Sequence, residues 1–180
     1  MSARLIYSMS SSLDGYIAGP DGSFDWSMPS EEQHQFHNDE VRALSAHLLG
    51  RDLYETMVYW EREDDDRGPV GHEFAELWRA LPKIVFSRSL QEVEGGNTRL
   101  ATGSVEEELA RLDGDVAVGG AGLAASCIDL IDEFRPFVYP VIVGGGTPYL
   151  PALDHRIDLE LLETRTFASR VILRRYRRAH

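Results

Sequence analysis

A chain of 180 residues with 43% hydrophobic content can bury one substantial core and is too short for two comfortable ones, so a single domain spanning 1–180 is expected. Its formal net charge of −12 excludes a non-specific grip on nucleic acid or on an anionic membrane surface, and any anionic ligand has to be met by local cations. Cys127 is the single cysteine, which excludes an internal disulfide; no apolar run nears the roughly 20 residues of a membrane span, and the first residues lack a signal-peptide layout, so a cytoplasmic protein is expected.

In chain order, Arg4 to Ser10 reads as a strand. The turn signals Asp14-Gly15 and Gly19-Pro20-Asp21-Gly22 open a long loop that runs to Pro29 and carries Phe24 and Trp26. Ser30 can cap a helix with Gln33 at the capping-box position and acids in the first turn, and Phe36, Val41, Ala43 and Leu44 give that helix an apolar face. Ala46 to Gly50 is a short buried strand that runs into a helix from Arg51 to Met57. Glu61 to Gly71, rich in acids and arginines and ending near Gly68-Pro69, reads as an exposed loop with no rigid ligand spacing for a metal. A helix follows over His72 to Leu81, ended by Pro82, then a strand over Lys83 to Phe86 that runs into Ser87-Arg88-Ser89.

Thr98 to Ala101 is a short strand, and Ser104 caps a helix over Val105 to Leu112. Asp115 to Val118 is a strand that stops on Gly119-Gly120-Ala121-Gly122 and feeds an apolar helix over Leu123 to Ile131. Phe134 to Val143 is strongly β apart from Pro136 and Pro140, and it stops at Gly144-Gly145-Gly146. Ile157 to Thr166 and Val171 to Arg177 alternate with period two around a turn, the pattern of a hairpin. Strands alternating with helices and then a terminal hairpin indicate an α/β fold, a mostly parallel sheet with an antiparallel edge.

Three strand ends of this layout carry small residues or a guanidinium: Gly50-Arg51, Ser87-Arg88 and Gly119 to Gly122. In an open α/β sheet the carboxyl ends of the strands share one rim, where ligands bind. Backbone N–H groups freed at a strand-to-helix turn and planar guanidinium forks both suit phosphate oxygens. Together they describe a pocket for a dinucleotide carrying an extra 2′-phosphate. Read alone, the glycine stretch is equally a tight turn without a ligand, and its match to the Rossmann fingerprint over Gly120 to Ala125 is incidental, because no acidic residue ends the next strand. His34 and His37, three apart on a helix without a third ligand, read as surface histidines, and Cys127 as a buried apolar residue.

Several stretches together resemble a known family. Trp26-Ser27-Met28-Pro29 followed by Glu31, then Leu49 to Thr56, Val85 to Arg88 and Val118-Gly119-Gly120, are similar to the dihydrofolate reductase superfamily. Ser12 to Ala18 and Tyr139 to Gly146 more closely resemble the reductase half of the bifunctional riboflavin-biosynthesis deaminase/reductase, the RibD C-terminal domain-like branch. The resemblance covers nearly the whole chain. It implies a three-layer fold with a mixed, mostly parallel eight-stranded sheet flanked by helices, NADPH as hydride donor, a pyrimidine, pterin or related heterocycle as substrate, and a homodimer. It further implies that Gly50, Arg51 and Thr56 form a phosphate-binding helix start, that Ser87 and Arg88 hold the 2′-phosphate, and that Gly119, Gly120, Ala121, Gly122 and Leu123 face pyrophosphate and nicotinamide. Ile17, Ala18 and Trp26 would fall on the loop over the nicotinamide.

By the same resemblance Glu31, with Glu32 as the alternative register, is the catalytic carboxylate that anchors the substrate and assists protonation. Asp14, Tyr139 and Pro140 join it on the substrate side. A first-turn helix acid explains Glu31 equally well. Two departures stand out: Val118 occupies the position where riboflavin-pathway reductases usually carry Glu, and Pro140 stands where folate reductases commonly show a small hydroxyl residue. The first leaves open a non-catalytic NADP-binding sensor or a dimeric interaction module on the same fold.

Overall fold

The structure, a computed structural model, describes residues 2–179. Its core is an eight-stranded sheet of β1 (Arg4–Ser11), β3 (Ala46–Gly50), β4 (Lys83–Phe86), β5 (Thr98–Leu100), β6 (Asp115–Gly119), β7 (Glu133–Val138), β9 (Leu159–Thr166) and β10 (Ile172–Arg178). The strand order is β5-β4-β3-β6-β1-β7-β10-β9. All pairs are parallel except those made by β10, which runs antiparallel to both β7 and β9. A second, two-stranded sheet pairs β2 (Tyr16–Ala18) with β8 (Thr147–Pro148).

The central strands are apolar without alternation because both faces are covered. Leu48 and Leu49 point to opposite faces, as do Ile84 and Val85, and all four are buried. One face meets α5 (Ala121–Ser126) and α4 (Val105–Leu109), burying Ala124, Ile128 and Val105 with Leu5, Leu48 and Val118. The other face meets α2 (Arg51–Met57) and α3 (Gly68–Ala80), where Tyr54, Phe74 and Trp78 cover Leu49 and Val85. Nearby α1 (Glu31–Ala43) lays Phe36 between Phe137 and Phe167, with ring centroids 5.9 and 5.5 Å away. Each fully buried Leu or Phe stabilises the fold by about 1.5–3 kcal/mol.

Caps follow the sequence. The Ser104 hydroxyl accepts from the Glu107 amide at 3.2 Å while the Glu107 carboxylate accepts from the Ser104 amide at 2.8 Å, a complete capping box. Ser30 accepts from the Gln33 amide at 3.3 Å, but Gln33 does not reciprocate, because its side chain turns into the protein.

Four expectations need correction. Residues 61–71 are not an open loop: α3 begins at Gly68, with Pro69 in its first turn, where a missing N–H costs nothing. Within that stretch the side chain of Arg67 is almost wholly buried, its guanidinium 4.5 Å from the Tyr59 ring centroid, and Glu61 pairs with buried Lys83 at 3.3 Å. The helix predicted over 123–131 breaks after Ser126 into a 3-10 turn at Ile128–Leu130. β7 stops at Val138, because beyond it residues 139–146 bend away over the β1–β2 turn, where Leu13 N donates to Val141 O at 2.8 Å. The strands β2 and β8, three and two residues long, were not anticipated at all.

Candidate active site

The carboxyl ends of β1, β3 and β6 surround a cavity of about 580 Å³. Its wall on the β3 side is made by Gly50, Arg51, Asp52, Leu53 and Thr56, with Gly120 to Leu123 from the β6–α5 junction. On the β7 side it is made by Ser8, Met9 and Ser10 of β1, Phe137 of β7 and His37 of α1. Ile17, Ala18, Phe24, Ser27 and Thr147 close the top. A second, larger cavity of about 930 Å³ shares Arg51 and Leu123 with the first and continues past Ser87, Arg88 and Ser89 to Ser104 and Ile128. The three strand ends therefore lie on one rim.

Two glycines make the floor between the junctions. A Cβ built on Gly120 would stand 3.5 Å from Gly50 Cα, and Gly120 has φ +97°, a conformation L side chains rarely adopt. Beneath them Gly119 is buried and lines neither cavity; any side chain there would strike Leu53 and His47. Above the floor the Arg51 guanidinium donates to the Glu55 carboxylate at 2.9 Å and to the Ser89 hydroxyl at 2.7 Å, so it spans from α2 to the turn after β4. The Glu55 bond raises its already high pKa, and it carries its charge at any working pH. Ser87 Oγ accepts from the amides of Ser89 and Leu90 and shapes that turn. Arg88 is exposed and makes no hydrogen bond or ion pair among the described residues. Thr56 lines the first cavity while its hydroxyl donates to Asp52 O at 3.0 Å.

The substrate-side expectations fare differently. Glu31 is exposed on the outer side of α1 and lines neither cavity. At about 100° per residue it lies some 200° around the helix from Gln33, the residue that α1 turns inward. Glu32, the alternative, is spent on the terminal hairpin: its carboxylate accepts from the Ala168 amide at 3.0 Å. Asp14 is exposed outside the cavity, where its carboxylate accepts from the amides of Val143 at 3.1 Å and Gly144 at 2.8 Å. Those bonds and the Ser12 hydroxyl, the largest influence, hold its pKa below the usual carboxylate range. Asp14 thus ties the glycine loop down.

Tyr139 is buried behind the wall, its hydroxyl accepting from Gln33 Nε2 at 2.7 Å and donating to Ser27 O at 3.1 Å; burial pushes its pKa up. Trp26 stacks edge-on against Tyr139 at 5.7 Å and lines neither cavity, and Pro140 is exposed.

His37 was the residue to find, and it is not a surface histidine. Its ring packs on Phe137 at 4.6 Å and reaches the cavity, with Nδ1 3.3 Å from Glu40 Oε2 and Nε2 3.3 Å from Gln33 Nε2. His34 instead packs between Trp60 and Phe74, where burial lowers its pKa. A usable signal was present in the i, i+4 spacing of Gln33 and His37 with Glu40 three residues further on.

Comparison with known proteins gives a consistent picture. The RibD C-terminal domain family matches residues 3–173. The uncharacterized protein YyaP of Bacillus subtilis (strain 168) is 31% identical over 178 residues, covering 94% of this chain and 92% of YyaP. A candidate riboflavin biosynthesis protein from Shewanella sp. PV-4 superimposes with a TM-score of 0.78 at 20% identity over the whole of both chains. Dihydrofolate reductase from Enterococcus faecalis, solved with NADP(H), superimposes with a TM-score of 0.68 at 17% identity, covering 98% of this chain and 97% of that one. With its dihydrofolate reductase-like sheet and its match across nearly the full length, the chain belongs to the RibD C-terminal domain family.

Proposed function

We propose that this protein is an NADPH-dependent reductase that delivers hydride to a pyrimidine, pterin or related heterocycle, acting as one domain and as a homodimer in the cytoplasm. The observation that carries the reading is the convergence of Gly50-Arg51, Ser87-Arg88 and Gly120 to Leu123 around two adjoining cavities that share Arg51. The residues fit such a cofactor. Gly50 and Gly120 present bare main chain on the groove floor, and on a chain of charge −12 Arg88, which makes no hydrogen bond or ion pair among the described residues, is a cation to meet a phosphate. The Enterococcus enzyme with the same fold was solved with NADP(H). When bound, NADPH supplies the hydride from its nicotinamide ring.

The chain's own residues bind and orient. Arg51, Ser87 and Arg88 hold the phosphates, with Thr56 on the wall beside them. Gly119 lets α2 pack close beneath the floor formed by Gly50, Gly120, Ala121 and Gly122. Leu123 marks the passage between the two cavities, and Ile17 and Ala18 close over the nicotinamide, backed by Trp26. No helix among the described residues is long and apolar enough to cross a membrane.

The test is a comparison of NADPH and NADH affinities by tryptophan-fluorescence titration. NADPH is expected to bind more tightly by at least about tenfold, and Arg88→Ala to remove most of that preference. Equal affinity of the wild-type protein for both dinucleotides contradicts the assignment of Arg88. One observation favours a second reading, a binding protein without turnover: Val118, standing where the related reductases usually carry Glu, is buried in the core at 1% exposure and offers the site nothing. Tight NADPH binding with no oxidation across heterocyclic and carbonyl acceptors would select it.

A further inference from the structure

The β7 side of the first cavity is almost free of ionisable groups. There and at the top the hydroxyls of Ser8, Ser10, Ser27 and Thr147 stand among apolar Met9, Ile17, Ala18, Phe24 and Phe137, and the one titratable side chain is His37. No carboxylate lines this side; Asp52, the single acid of the cavity wall, sits across on α2. We propose that His37 is the proton donor of the reduction and that the substrate presents a hydrogen-bond acceptor to it, the nitrogen of a ring C=N or the oxygen of a conjugated C=O. The proposal deepens the reductase reading and rests on it.

The geometry carries the assignment. His37 Nδ1 donates to Glu40 Oε2 at 3.3 Å, and Glu40 is fixed in turn because its other oxygen accepts from Arg135 Nη1 at 2.9 Å. Arg135 is held from behind by Glu133 at 2.6 Å. This orients the imidazole as the base of a carboxylate–histidine pair does, leaving Nε2 as the working nitrogen. Nε2 lies 3.3 Å from Gln33 Nε2, and Gln33 Oε1, fully buried on the same amide, has no hydrogen-bond partner. With neutral imidazole the amide N–H donates to Nε2; because the same amide nitrogen also donates to the Tyr139 hydroxyl at 2.7 Å, it stays turned toward the ring, so an imidazolium Nε2–H meets a donor there and is left to an acceptor on the substrate. The charged and titratable groups around His37 are Glu40 and His34 on its own helix, Arg135 and, behind it, Glu133 on β7, and the Tyr139 hydroxyl reached through Gln33.

The step balances simply. Hydride from the reduced nicotinamide adds to the carbon of C=N or C=O, the π electron pair goes to nitrogen or oxygen, and that atom takes the proton from His37 Nε2. Neutral His37, still donating from Nδ1 to Glu40, is reprotonated from solvent. A 2-aminopyrimidine edge, which presents two donors and calls for a carboxylate, finds none on this side, so the site disfavours dihydropterins.

The experiment uses the full chain in wild-type, His37→Gln and Glu40→Gln forms, with Glu40→Asp replacing the last if it fails to fold. Imidazole NMR resonances are followed against pH, His37 being identified by its loss in His37→Gln. NADPH affinity and NADPH oxidation are measured against a cyclic imine, an aromatic aldehyde and dihydrofolate. His37→Gln is expected to keep NADPH affinity within about twofold, to lower kcat/KM for the imine or aldehyde about 100-fold, and to lose the fall in rate above the histidine pKa. Glu40→Gln is expected to move the His37 imidazole resonances and to lower kcat for the same acceptors with NADPH affinity held, because the carboxylate that orients the ring is gone. Rate and alkaline limb retained in His37→Gln overturn the proposal. So does dihydrofolate reduced better than either other acceptor, or His37 resonances unmoved in the Glu40 variant, which is read without any turnover. Failure of the wild-type protein to bind NADPH is a separate result and overturns the reductase reading itself.

Discussion

Gly50 and Gly120 meet backbone to backbone across the floor of the cavity: a methyl group on Gly120 would lie 3.5 Å from Gly50 Cα and 3.6 Å from its nitrogen. One residue ends β3 and the other begins the turn after β6, so neighbouring parallel strands deliver them to the same spot. Bringing two turns this close leaves room above them for a ligand to lie against main chain.

Gly120→Ala is therefore expected to weaken NADPH binding at least about tenfold and, because φ is +97°, to cost about 1–3 kcal/mol of stability. Gly122→Ala is the control. A Cβ there meets nothing within 4 Å, and the melting temperature should hold. Urea unfolding and fluorescence titration check both, and Gly120→Ala binding NADPH as tightly as wild type would remove the floor from the account.

Far from the cavity, Glu108 is fully buried, and Arg99 holds its carboxylate with bonds of 3.1 and 2.6 Å while the Thr102 amide donates at 2.7 Å. The Arg99 bonds are the largest influence in drawing its pKa down to about 2, against burial, which acts the other way. The unfolded chain thus takes up this proton at higher pH than the folded one. The stabilisation is present above the ordinary glutamate value of 4.5 and fades as pH falls toward about 2. Glu108→Ala is expected to cost about 2–3 kcal/mol at pH 7, leaving Arg99 unpaired, and far less near pH 2. Urea denaturation at the two pH values measures it; an equal loss at both would contradict the linkage.

At the far edge of the sheet β9 has no partner on its outer side among the described residues, and Leu159, Leu161 and Leu162 are exposed along it. An unpaired edge with apolar side chains is a surface that a second copy can cover. The proposed homodimer predicts that Leu161→Arg shifts the protein toward monomer in sedimentation velocity with the fold intact by circular dichroism. A wild-type protein sedimenting as a monomer ends that part of the reading.

Much of the architecture was legible beforehand. Leu48-Leu49 and Ile84-Val85 are too apolar for a half-exposed strand, so a doubly covered parallel sheet followed, and the alternation on either side of Phe167 gave the hairpin. Ser30 and Ser104 located two helix starts. The start of α3 was hidden because Gly68-Pro69 reads as a loop when Pro is equally suited to a first turn. The small β2–β8 sheet escaped because strands this short are set by what they close over, not by their own residues.

Sequence by itself determined which residues could meet: the glycines and arginines at the strand ends, and Gln33, His37 and Glu40 along one stretch of a helix. Only tertiary structure decided which face of α1 looks inward. Helical periodicity fixes the angles between side chains but not the rotation of the whole helix about its axis. That rotation is set by Phe36 docking on Phe137 and Phe167 and by Asn38 donating to Val70 O and Glu73 at 3.0 and 2.8 Å. Those long-range contacts turn Glu31 to solvent and bring His37 to the cavity.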